Sequence, residues 1–337
     1  MTGIKNKYLI IYHKEDNDGV FSAALFYDYI INILKCDVIK SIGFDYNELS
    51  KFIKEHSVNE LHEKFDNIIM TDISCDASYM KALFKEFGSN FIWCDHHAPI
   101  IKASVNKNFD SIPGIRDTGR SAILCVWKYL YDQFDEAYNE KKIPELLRIL
   151  SAWDSWTYKK EGYDFEFVRD VNKGVTNKLN LDLEKAKRLI GIITTYYANN
   201  FNINYDDIVN DFQKHGHILN EYEDMTMESI IKNSGDISWE VRAPHHTIHK
   251  ACAIFHQGAT NSTMFKCLKG TDIRHGLVFK HSRSGNWVLS MYNINNDEDF
   301  HCGEFLKERY NGGGHKGAAG CTLTQEQFID ILKNKRV

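Results

Sequence analysis

The chain has 337 residues, 43% of them hydrophobic, which is enough for two domains with their own cores. Its formal net charge of −5 argues against a protein that coats long nucleic acid without sequence preference. No apolar run reaches the roughly 18 residues of a membrane span, and the N-terminus lacks a signal-peptide pattern. We therefore expect a cytoplasmic protein with no membrane partner.

The spacing of the cysteines and the distribution of charge further restrict the class of protein. The eight cysteines form no Cys-x-x-Cys pair, which favours reduced, buried thiols over disulfides or a structural zinc site. Residues 241–337 carry 13 Lys and Arg against 8 Asp and Glu, a net charge of +5, which leaves −10 on residues 1–240. An acidic part that could hold cations is thus joined to a basic part that could hold phosphates.

The first part of the chain alternates between strand and helix patterns. Predicted strands cover Tyr8–Tyr12, Val38–Ile42, Phe65–Met70 and Phe91–Cys94. Apolar residues at helical spacing predict helices over Val20–Leu34, Asn47–Glu55 and around Met80–Phe87, followed by helices near 119–131 and 144–152 and a polar helical region over 160–200. Repeated β–α units with short connections predict an α/β fold with a doubly wound, mainly parallel sheet.

The second part has a different pattern. A long charged helix is predicted over 206–233, then strands over Lys250–Phe255, Gly276–Lys280 and Trp287–Tyr292, with a hairpin turn at 282–286 and a helix over Cys302–Tyr310. We expect a catalytic domain with a helical extension over 1–205, a helical connector over 206–236 and a smaller mixed α/β domain over 237–337, across a cleft from the first.

Ionisable residues follow three of the predicted strands. The carboxyl ends of parallel strands meet at one edge of the sheet, so their side chains should converge in one crevice. Asp154, which follows a predicted helix, could close this site. The residues at the strand ends are His13, Asp16, Asp18, Asp72, Asp95, His96 and His97.

Each of these residues also has an ordinary structural explanation. The segment Asp16-Asn17-Asp18-Gly19 is a common turn sequence, and Asp72 could cap the helix that follows it. Asp154, between two tryptophans, could be a buried, hydrogen-bonded carboxylate. These explanations do not account for ionisable residues at the ends of three strands of one sheet, so we predict a metal site.

The ligand set indicates the metal and its chemistry. Four carboxylates and two imidazoles suit Mn²⁺, with Mg²⁺, Fe²⁺ or Co²⁺ as substitutes. Six ligands are too many for one catalytic ion with open positions, but they suit two ions about 3.5–4 Å apart that share a carboxylate. Such a pair activates water and stabilises the attacking and leaving oxygens of phosphoryl transfer. Hydrolysis of a phosphate ester is the expected reaction.

Two C-terminal segments carry chemistry suited to phosphate. The backbone of Gly312-Gly313-Gly314 could approach a ligand closely and form an anion nest with His315 nearby. Arg283, in the predicted hairpin turn, offers a planar fork for phosphate. The alternatives are a flexible glycine linker and an ordinary surface arginine.

Taken in order, these motifs resemble the DHH phosphoesterase family with a DHHA1-type C-terminal domain. The matching segments run from Tyr8 to about Leu323, nearly the whole chain. They comprise His13 with Asp16-Asn17-Asp18-Gly19, Asp72 in Thr-Asp-Ile-Ser, Asp95-His96-His97, Asp154, Ser282-Arg283-Ser284, and the loop from Gly312 to Gly320.

The resemblance implies a role for each of these residues. One Mn²⁺ would be held by His13, Asp16 and Asp72, and the other by Asp18, Asp72, His96 and Asp154, with Asp72 bridging. Asp95 would support the histidine ligands, and His97 would contact the scissile phosphate or the leaving group. The far end of a short nucleotide would be anchored by Arg283, Ser284, Gly312, Gly313, Gly314 and His315.

The family contains several activities, and this chain is most similar to its stand-alone nanoRNases. We expect hydrolysis of short RNA or DNA oligonucleotides or dinucleotides to nucleoside monophosphates, by a monomer or a homodimer. The alternatives are 3′-phosphoadenosine 5′-phosphate or a cyclic dinucleotide as substrate, a non-catalytic nucleotide-binding module, and a sugar-phosphate or polyphosphate hydrolase.

Overall fold

The structure, a computed structural model, has two compact units, Met1–Leu219 and Asn220–Val337. It describes residues 6–36, 38–97, 101, 109–131, 143–199, 205–243, 247–258, 260, 263–282, 285–295, 299–314 and 316–337. Within these residues, no helix combines the length and the apolar character needed to cross a membrane.

The first unit contains a four-stranded parallel sheet in the order β2-β1-β3-β4. Its strands are β1 (Tyr8–His13), β2 (Ile39–Phe44), β3 (Asn67–Thr71) and β4 (Phe91–Cys94). Because β2 and β3 lie on opposite sides of β1, the strand order reverses at β1. In sheets of this kind, ligands bind at the carboxyl ends of the strands next to this switch point.

Helices cover both faces of this sheet. They are α1 (Asn17–Asn32), α2 (Tyr46–Glu55), α3 (Val58–His62), α4 (Ala77–Phe87), α5 (Ala122–Tyr131), α6 (Glu145–Asp154), α7 (Phe165–Leu179) and α8 (Leu183–Asn199). Successive strand residues point to opposite faces. Accordingly, Ile10 packs with Phe21 of α1 in one core, whereas Ile11 packs with Leu49 of α2 in another. The predicted doubly wound α/β fold is confirmed.

The helix α1 starts three residues earlier than its apolar pattern predicts. Its first residue is Asn17 rather than Val20, because the side chain of Asp16 caps the helix and accepts a hydrogen bond from the N–H of Gly19 at 3.0 Å. The apolar spacing marks only the part of the helix that packs on the core. Asn17 and Asp18 are buried as well, although both are polar.

The second unit contains a six-stranded mixed sheet in the order β5-β6-β7-β8-β10-β9. The pair β6–β7 is parallel and the other pairs are antiparallel. The strands are β5 (Asp236–Arg242), β6 (Ile248–Phe255), β7 (His275–His281), β8 (Trp287–Asn293), β9 (Gly313–Gly314) and β10 (Ala318–Leu323). The remaining helices are α9 (Tyr205–Ser234), α10 (Cys302–Tyr310) and α11 (Gln325–Asn334).

Several elements of this unit, among them β5 and α11, were not predicted from the sequence. The strand β5 lies beside β6 at one end of the strand order, and its Glu240 also forms a parallel bridge with Arg336. The helix α11 begins with a capping box, in which Thr324 and Gln327 each accept a backbone N–H of the other. That Thr-x-x-Gln signature is readable in the sequence and would have predicted the helix.

Candidate metal centre

The first group of candidate ligands lies at the carboxyl end of β1, where His13 is the last residue of the strand. The imidazole of His13 donates from Nδ1 to the carbonyl oxygen of Phe44 at 3.3 Å, and its Nε2 lies 3.6 Å from Oδ2 of Asp16. A Cβ atom at Gly19 would lie 2.0 Å from the carbonyl oxygen of His13. Glycine is therefore required there, since only it lets the first turn of α1 lie against the end of β1.

Asp18 is held by the N-terminus of α5. Its Oδ2 accepts a hydrogen bond from the N–H of Ala122 at 2.7 Å, and its Oδ1 accepts one from the N–H of Ile123 at 2.8 Å. Free N–H groups at a helix N-terminus stabilise a negative charge. These bonds fix the carboxylate of Asp18, which is 2% exposed, so that Oδ2 lies 3.5 Å from Nε2 of His96.

Asp72 follows β3 in a strained backbone conformation. Its φ is +57°, in the left-handed region that costs a non-glycine residue about 1–2 kcal/mol. The N–H of Asp72 donates to the carbonyl oxygen of Cys94 at 3.0 Å, which ties this turn to the end of β4. The side chain is 1% exposed, and neither carboxylate oxygen makes a hydrogen bond. Strain of this kind is typical of functional sites.

The carboxylates converge on the imidazole of His96. Its Nε2 lies 3.3 Å from Oδ1 of Asp72, 3.3 Å from Oδ2 of Asp154 and 3.5 Å from Oδ2 of Asp18. Asp154 is the last residue of α6, so side chains from three strand ends and one helix end meet here. Two groups have donor atoms within 4.8 Å of one another: Asp18, His96 and Asp154, and Asp72, His96 and His97.

The electrostatics of the site match a cation. Burial raises the pKa of Asp72 well above its usual range, and the carboxylates of Asp18, Asp16, Asp154 and Asp95 raise it further. Burial also raises the pKa of Asp154, with Asp18 and Asp16 contributing, and that of Asp16, with Asp18 contributing. Each shift reflects carboxylates held close together, whose negative charge a divalent ion would offset.

Unsatisfied oxygen atoms provide an independent test of this fit. Both carboxylate oxygens of Asp72 and Oδ2 of Asp154 are buried and make no hydrogen bond. Buried polar atoms are normally paired, so these three need another partner. Carboxylate oxygens with an imidazole nitrogen form a donor set that suits Mn²⁺ or a similar divalent ion. The residues therefore fit a metal centre.

Asp95 organises the Asp-His-His segment, and both of its carboxylate oxygens accept hydrogen bonds. Its Oδ1 accepts hydrogen bonds from the N–H of His96 at 2.7 Å, the N–H of His97 at 3.1 Å and Nδ1 of His97 at 2.8 Å, while Oδ2 accepts from the indole of Trp93 at 3.1 Å. Although burial raises the pKa of Asp95, the imidazole of His97 and these N–H groups hold it below its usual value. Asp95 thus fixes the direction of the histidines.

The remaining predicted residues are less closely grouped. His13 and Asp16 lie beside each other but belong to neither of the two groups around His96. Arg283, Ser284 and His315 lie outside the described residues. Gly313 and Gly314 form β9, and a Cβ atom at Gly303 of α10 would lie 2.2 Å from the carbonyl oxygen of Gly314. The glycine loop therefore has a packing role within the second unit.

Several residues around the centre were not predicted. The ring of Tyr46 lies 5.5 Å from that of His13 and 6.2 Å from that of His97, and burial, with Asp95, Asp72 and Asp16, raises its pKa. A cleft of about 250 Å³ adjoins the carboxylates. It is lined by Glu15, Asp16, Asn17, Asp18, Leu150, Trp153, Asp154, Asn172 and Thr176. Asn172 and Thr176 lie more than 150 residues from Asn17, to which they hydrogen-bond, so no local pattern indicates them.

Comparison with known proteins supports the family resemblance. Residues 7–152 match the model of the DHH family, N-terminal domain, which confirms the resemblance over that part of the chain. The DHHA1-type nature of residues 237–337 and the similarity to nanoRNases stay predictions. No curated protein matches the chain significantly.

Solved structures share the fold at low sequence identity. An exopolyphosphatase-related protein from Bacteroides fragilis is 12% identical, with a TM-score of 0.53, and the match covers 98% of this chain and 91% of that one. Exonuclease RecJ bound to manganese is 15% identical, with a TM-score of 0.50 and coverage of 98% and 89%. A pGpG-specific phosphodiesterase, PggH, from Vibrio cholerae is 14% identical, with a TM-score of 0.49 and coverage of 97% of each chain. At these identities the matches show the fold alone.

Proposed function

The chain belongs to the DHH family through residues 7–152, and from this premise we propose that it is a metal-dependent phosphodiesterase. Its substrates would be short oligonucleotides or dinucleotides, cleaved to nucleoside monophosphates. The observation that carries the proposal is the approach of three carboxylates, those of Asp18, Asp72 and Asp154, to Nε2 of His96, with three of their oxygen atoms buried and unsatisfied. A structural cluster would pair these atoms, whereas a metal centre leaves them for the ion.

We assign the ligands as the family resemblance implies. One ion would be held by His13, Asp16 and Asp72, and the second by Asp18, Asp72, His96 and Asp154, with Asp72 shared. The two unsatisfied oxygens of Asp72 support the bridging role, because a bridge uses both. When bound, the ions would activate water and neutralise charge on the phosphate. We take Mn²⁺ as the first ion to test, with Mg²⁺ and Co²⁺ as substitutes.

The other residues would position the substrate. Asp95 orients His97 by accepting from its Nδ1 at 2.8 Å, which leaves Nε2 of His97 as the atom that can face the scissile phosphate or the leaving oxygen. Residues 241–337, with their net charge of +5, would bind the far end of the nucleotide through Arg283, Ser284 and the loop from Gly312 to His315. A cytoplasmic location, supported by eight free cysteines, completes the proposal.

The deciding experiment is hydrolysis of 5′-labelled RNA and DNA of increasing length, from dinucleotides upwards, with Mn²⁺ present. The matched variants are Asp154→Asn, which loses one ligand oxygen, and Asp211→Asn, whose carboxylate only pairs with Lys178 on the surface. We expect fast cleavage of the shortest substrates by the wild-type protein and Asp211→Asn, and loss of cleavage in Asp154→Asn.

Other outcomes point to defined alternatives. Inactivity on every oligonucleotide with metal bound, but activity on a bisphosphate nucleotide or a cyclic dinucleotide, would keep the centre and change the substrate. Equal activity on substrates with and without a nucleobase would indicate a polyphosphate or sugar-phosphate hydrolase. If neither Mn²⁺ nor Mg²⁺ binds at millimolar concentration, the chain is a nucleotide-binding module without the chemistry.

A further inference from the structure

The end of α6 carries an exposed aromatic surface directly beside the metal centre. Trp156 lies two residues after the candidate ligand Asp154, and its side chain is 55% exposed. Its ring stacks with those of Trp153, at 5.7 Å and 28°, and Phe165, at 6.2 Å and 22°. The ring of Tyr158 lies 6.1 Å from that of Trp156 and 5.5 Å from that of Phe165. We call Trp153, Trp156, Tyr158 and Phe165 the aromatic surface.

The backbone of Trp156 shows that folding does not favour a tryptophan here. Its φ is +56°, and a residue just after a helix in this left-handed conformation is usually glycine or asparagine. Two backbone hydrogen bonds hold the turn: the N–H of Ser155 donates to the carbonyl oxygen of Ser151, and the N–H of Thr157 donates to the carbonyl oxygen of Ala152. Neither bond depends on which side chain stands at position 156. A bulky apolar side chain thus occupies a strained, exposed position where glycine would cost less.

The aromatic surface is continuous with the cleft at the carboxylates. Trp153 lines that cleft together with Asp16, Asp18 and Asp154, and it also stacks with Trp156. A phosphate at the centre therefore places whatever is attached to it next to these rings. A nucleobase is the chemical group that would bind these rings most favourably, because every base has an aromatic face that can stack on them whatever the sequence.

We propose that Trp156, supported by Trp153 and Phe165, is the stacking platform for the nucleobase next to the phosphate bound at the metal centre. The inference rests on the proposed function and extends it, since a stacking platform selects nucleotides over polyphosphate or sugar phosphates. The rings that back Trp156 restrict its motion, so that the base would meet a preorganised surface. Trp156 would act in binding and specificity rather than in the chemical step.

The experiment compares the binding of AMP and ribose 5-phosphate by calorimetry in the presence of Mn²⁺. These ligands share the phosphate and the ribose and differ only in the base. For the wild-type protein we expect tighter binding of AMP. In Trp156→Ala the affinity for AMP should fall by about 5- to 150-fold, the range of a single base–aromatic stack, while the affinity for ribose 5-phosphate should not change.

Three further variants serve as controls. Trp156→Phe keeps an aromatic ring and should retain most of the preference for AMP. Trp156→Gly removes the ring but relieves the backbone, so it should match Trp156→Ala in binding while remaining folded. Tyr222→Ala removes an exposed aromatic side chain of α9, 71% exposed, and should leave both affinities unchanged.

Two results would overturn the inference. One is equal binding of AMP and ribose 5-phosphate by the wild-type protein. The other is an equal loss of both ligands in Trp156→Ala, which would mean that Trp156 positions Asp154 instead of contacting a base. Hydrolysis of a dinucleotide, measured in parallel, separates the proposals: AMP preference without hydrolysis refutes the phosphodiesterase alone, and hydrolysis without AMP preference refutes the platform alone.

Discussion

The carboxylate of Asp18 and the N–H group of Ala122 lie 104 residues apart in the chain and form a 2.7 Å hydrogen bond. This contact joins the first turn of α1 to the start of α5. It also distinguishes Asp18 from Asp154, whose Oδ2 faces the same imidazole but makes no hydrogen bond. Two carboxylates of one centre therefore differ in what they contribute to the fold, and that difference can be measured.

Asparagine at these two positions should have opposite effects on the metal-free protein. In Asp18→Asn the amide NH₂ would face a backbone N–H, so we expect a loss of about 1–3 kcal/mol in the free energy of unfolding. In Asp154→Asn one negative charge disappears beside Asp18 and Asp16, and stability should stay equal or rise. Urea unfolding with EDTA present measures both. A loss in Asp154→Asn as large as that in Asp18→Asn would contradict this view of the centre.

Divalent metal should stabilise the first unit by binding the folded state. A ligand at a hundred times its Kd contributes about 2.7 kcal/mol to the free energy of unfolding, so Mn²⁺ should raise the melting temperature and EDTA should reverse the change. Asp72→Asn should remove the effect, because both oxygens of Asp72 are buried without a hydrogen-bond partner. Asp211→Asn should keep it. A Mn²⁺ shift of the same size in Asp72→Asn would place the ion elsewhere.

The parallel sheet and the grouping of the central candidate ligands were predictable because both follow from local patterns. Buried strands such as Phe91–Cys94 give continuous apolar runs, and residues at the ends of parallel strands must meet at one edge. Asp72 and His96 could thus be placed together without knowledge of any contact. Their 3.3 Å separation agrees with that argument.

The missed features depend on contacts that are distant in sequence or on backbone angles. The bond of Asn17 to Asn172 joins α1 to α7 across 155 residues, and no periodicity encodes it. The positive φ of Asp72 and Trp156 could not be foreseen, since most left-handed residues are glycine or asparagine. Sequence patterns therefore identify the candidate ligands, whereas the strain and the surroundings of the site require the structure.

The strain at Trp156 predicts a difference between two small substitutions. Both Trp156→Ala and Trp156→Gly remove the same stacking contacts, but only glycine adopts a φ of +56° without cost. The glycine variant should therefore be more stable than the alanine variant by about 1 kcal/mol. Thermal or urea unfolding of the two proteins measures the difference directly. Equal stabilities would mean that the turn relaxes and that no strain is stored there.

The surroundings of Asp236 predict that the stability of the second unit depends on pH. The hydroxyl of Ser238, the ammonium of Lys335 and the N–H groups of Ser238 and Trp239 hold the pKa of Asp236 well below its usual value. A carboxylate with a lowered folded-state pKa stabilises the fold above its unfolded pKa of about 3.9, and this contribution is lost as the pH falls below that value.

The measurement compares unfolding of the wild-type protein with that of Asp236→Asn between mildly acidic and strongly acidic pH. The wild type should be more stable near neutrality, and its advantage should shrink as the pH falls through about 4. Lys335→Met removes the partner ammonium and should reduce the advantage at neutral pH. A difference between wild type and Asp236→Asn that stays constant with pH would show that the carboxylate's charge is not what stabilises this strand.

The glycine loop offers a pair of substitutions that separates packing from ligand binding. A Cβ atom at Gly303 would lie 2.2 Å from the carbonyl oxygen of Gly314, so Gly303→Ala must shift the backbone and should cost about 1–3 kcal/mol of stability. Gly313 is exposed, and a Cβ atom there would meet nothing within 4 Å. Gly313→Ala should therefore change stability by less than about 0.5 kcal/mol.

The two variants differ in what they reveal about function. If the loop approaches the substrate as proposed, Gly313→Ala should raise the KM for a dinucleotide while the melting temperature stays that of the wild type, because the added methyl group lies only in the path of a ligand. Gly303→Ala should lower the melting temperature. At low temperature, where more of this variant is folded, its activity should return toward that of the wild type. An unchanged KM in Gly313→Ala would leave the loop a packing element of the second unit and move substrate anchoring to other residues.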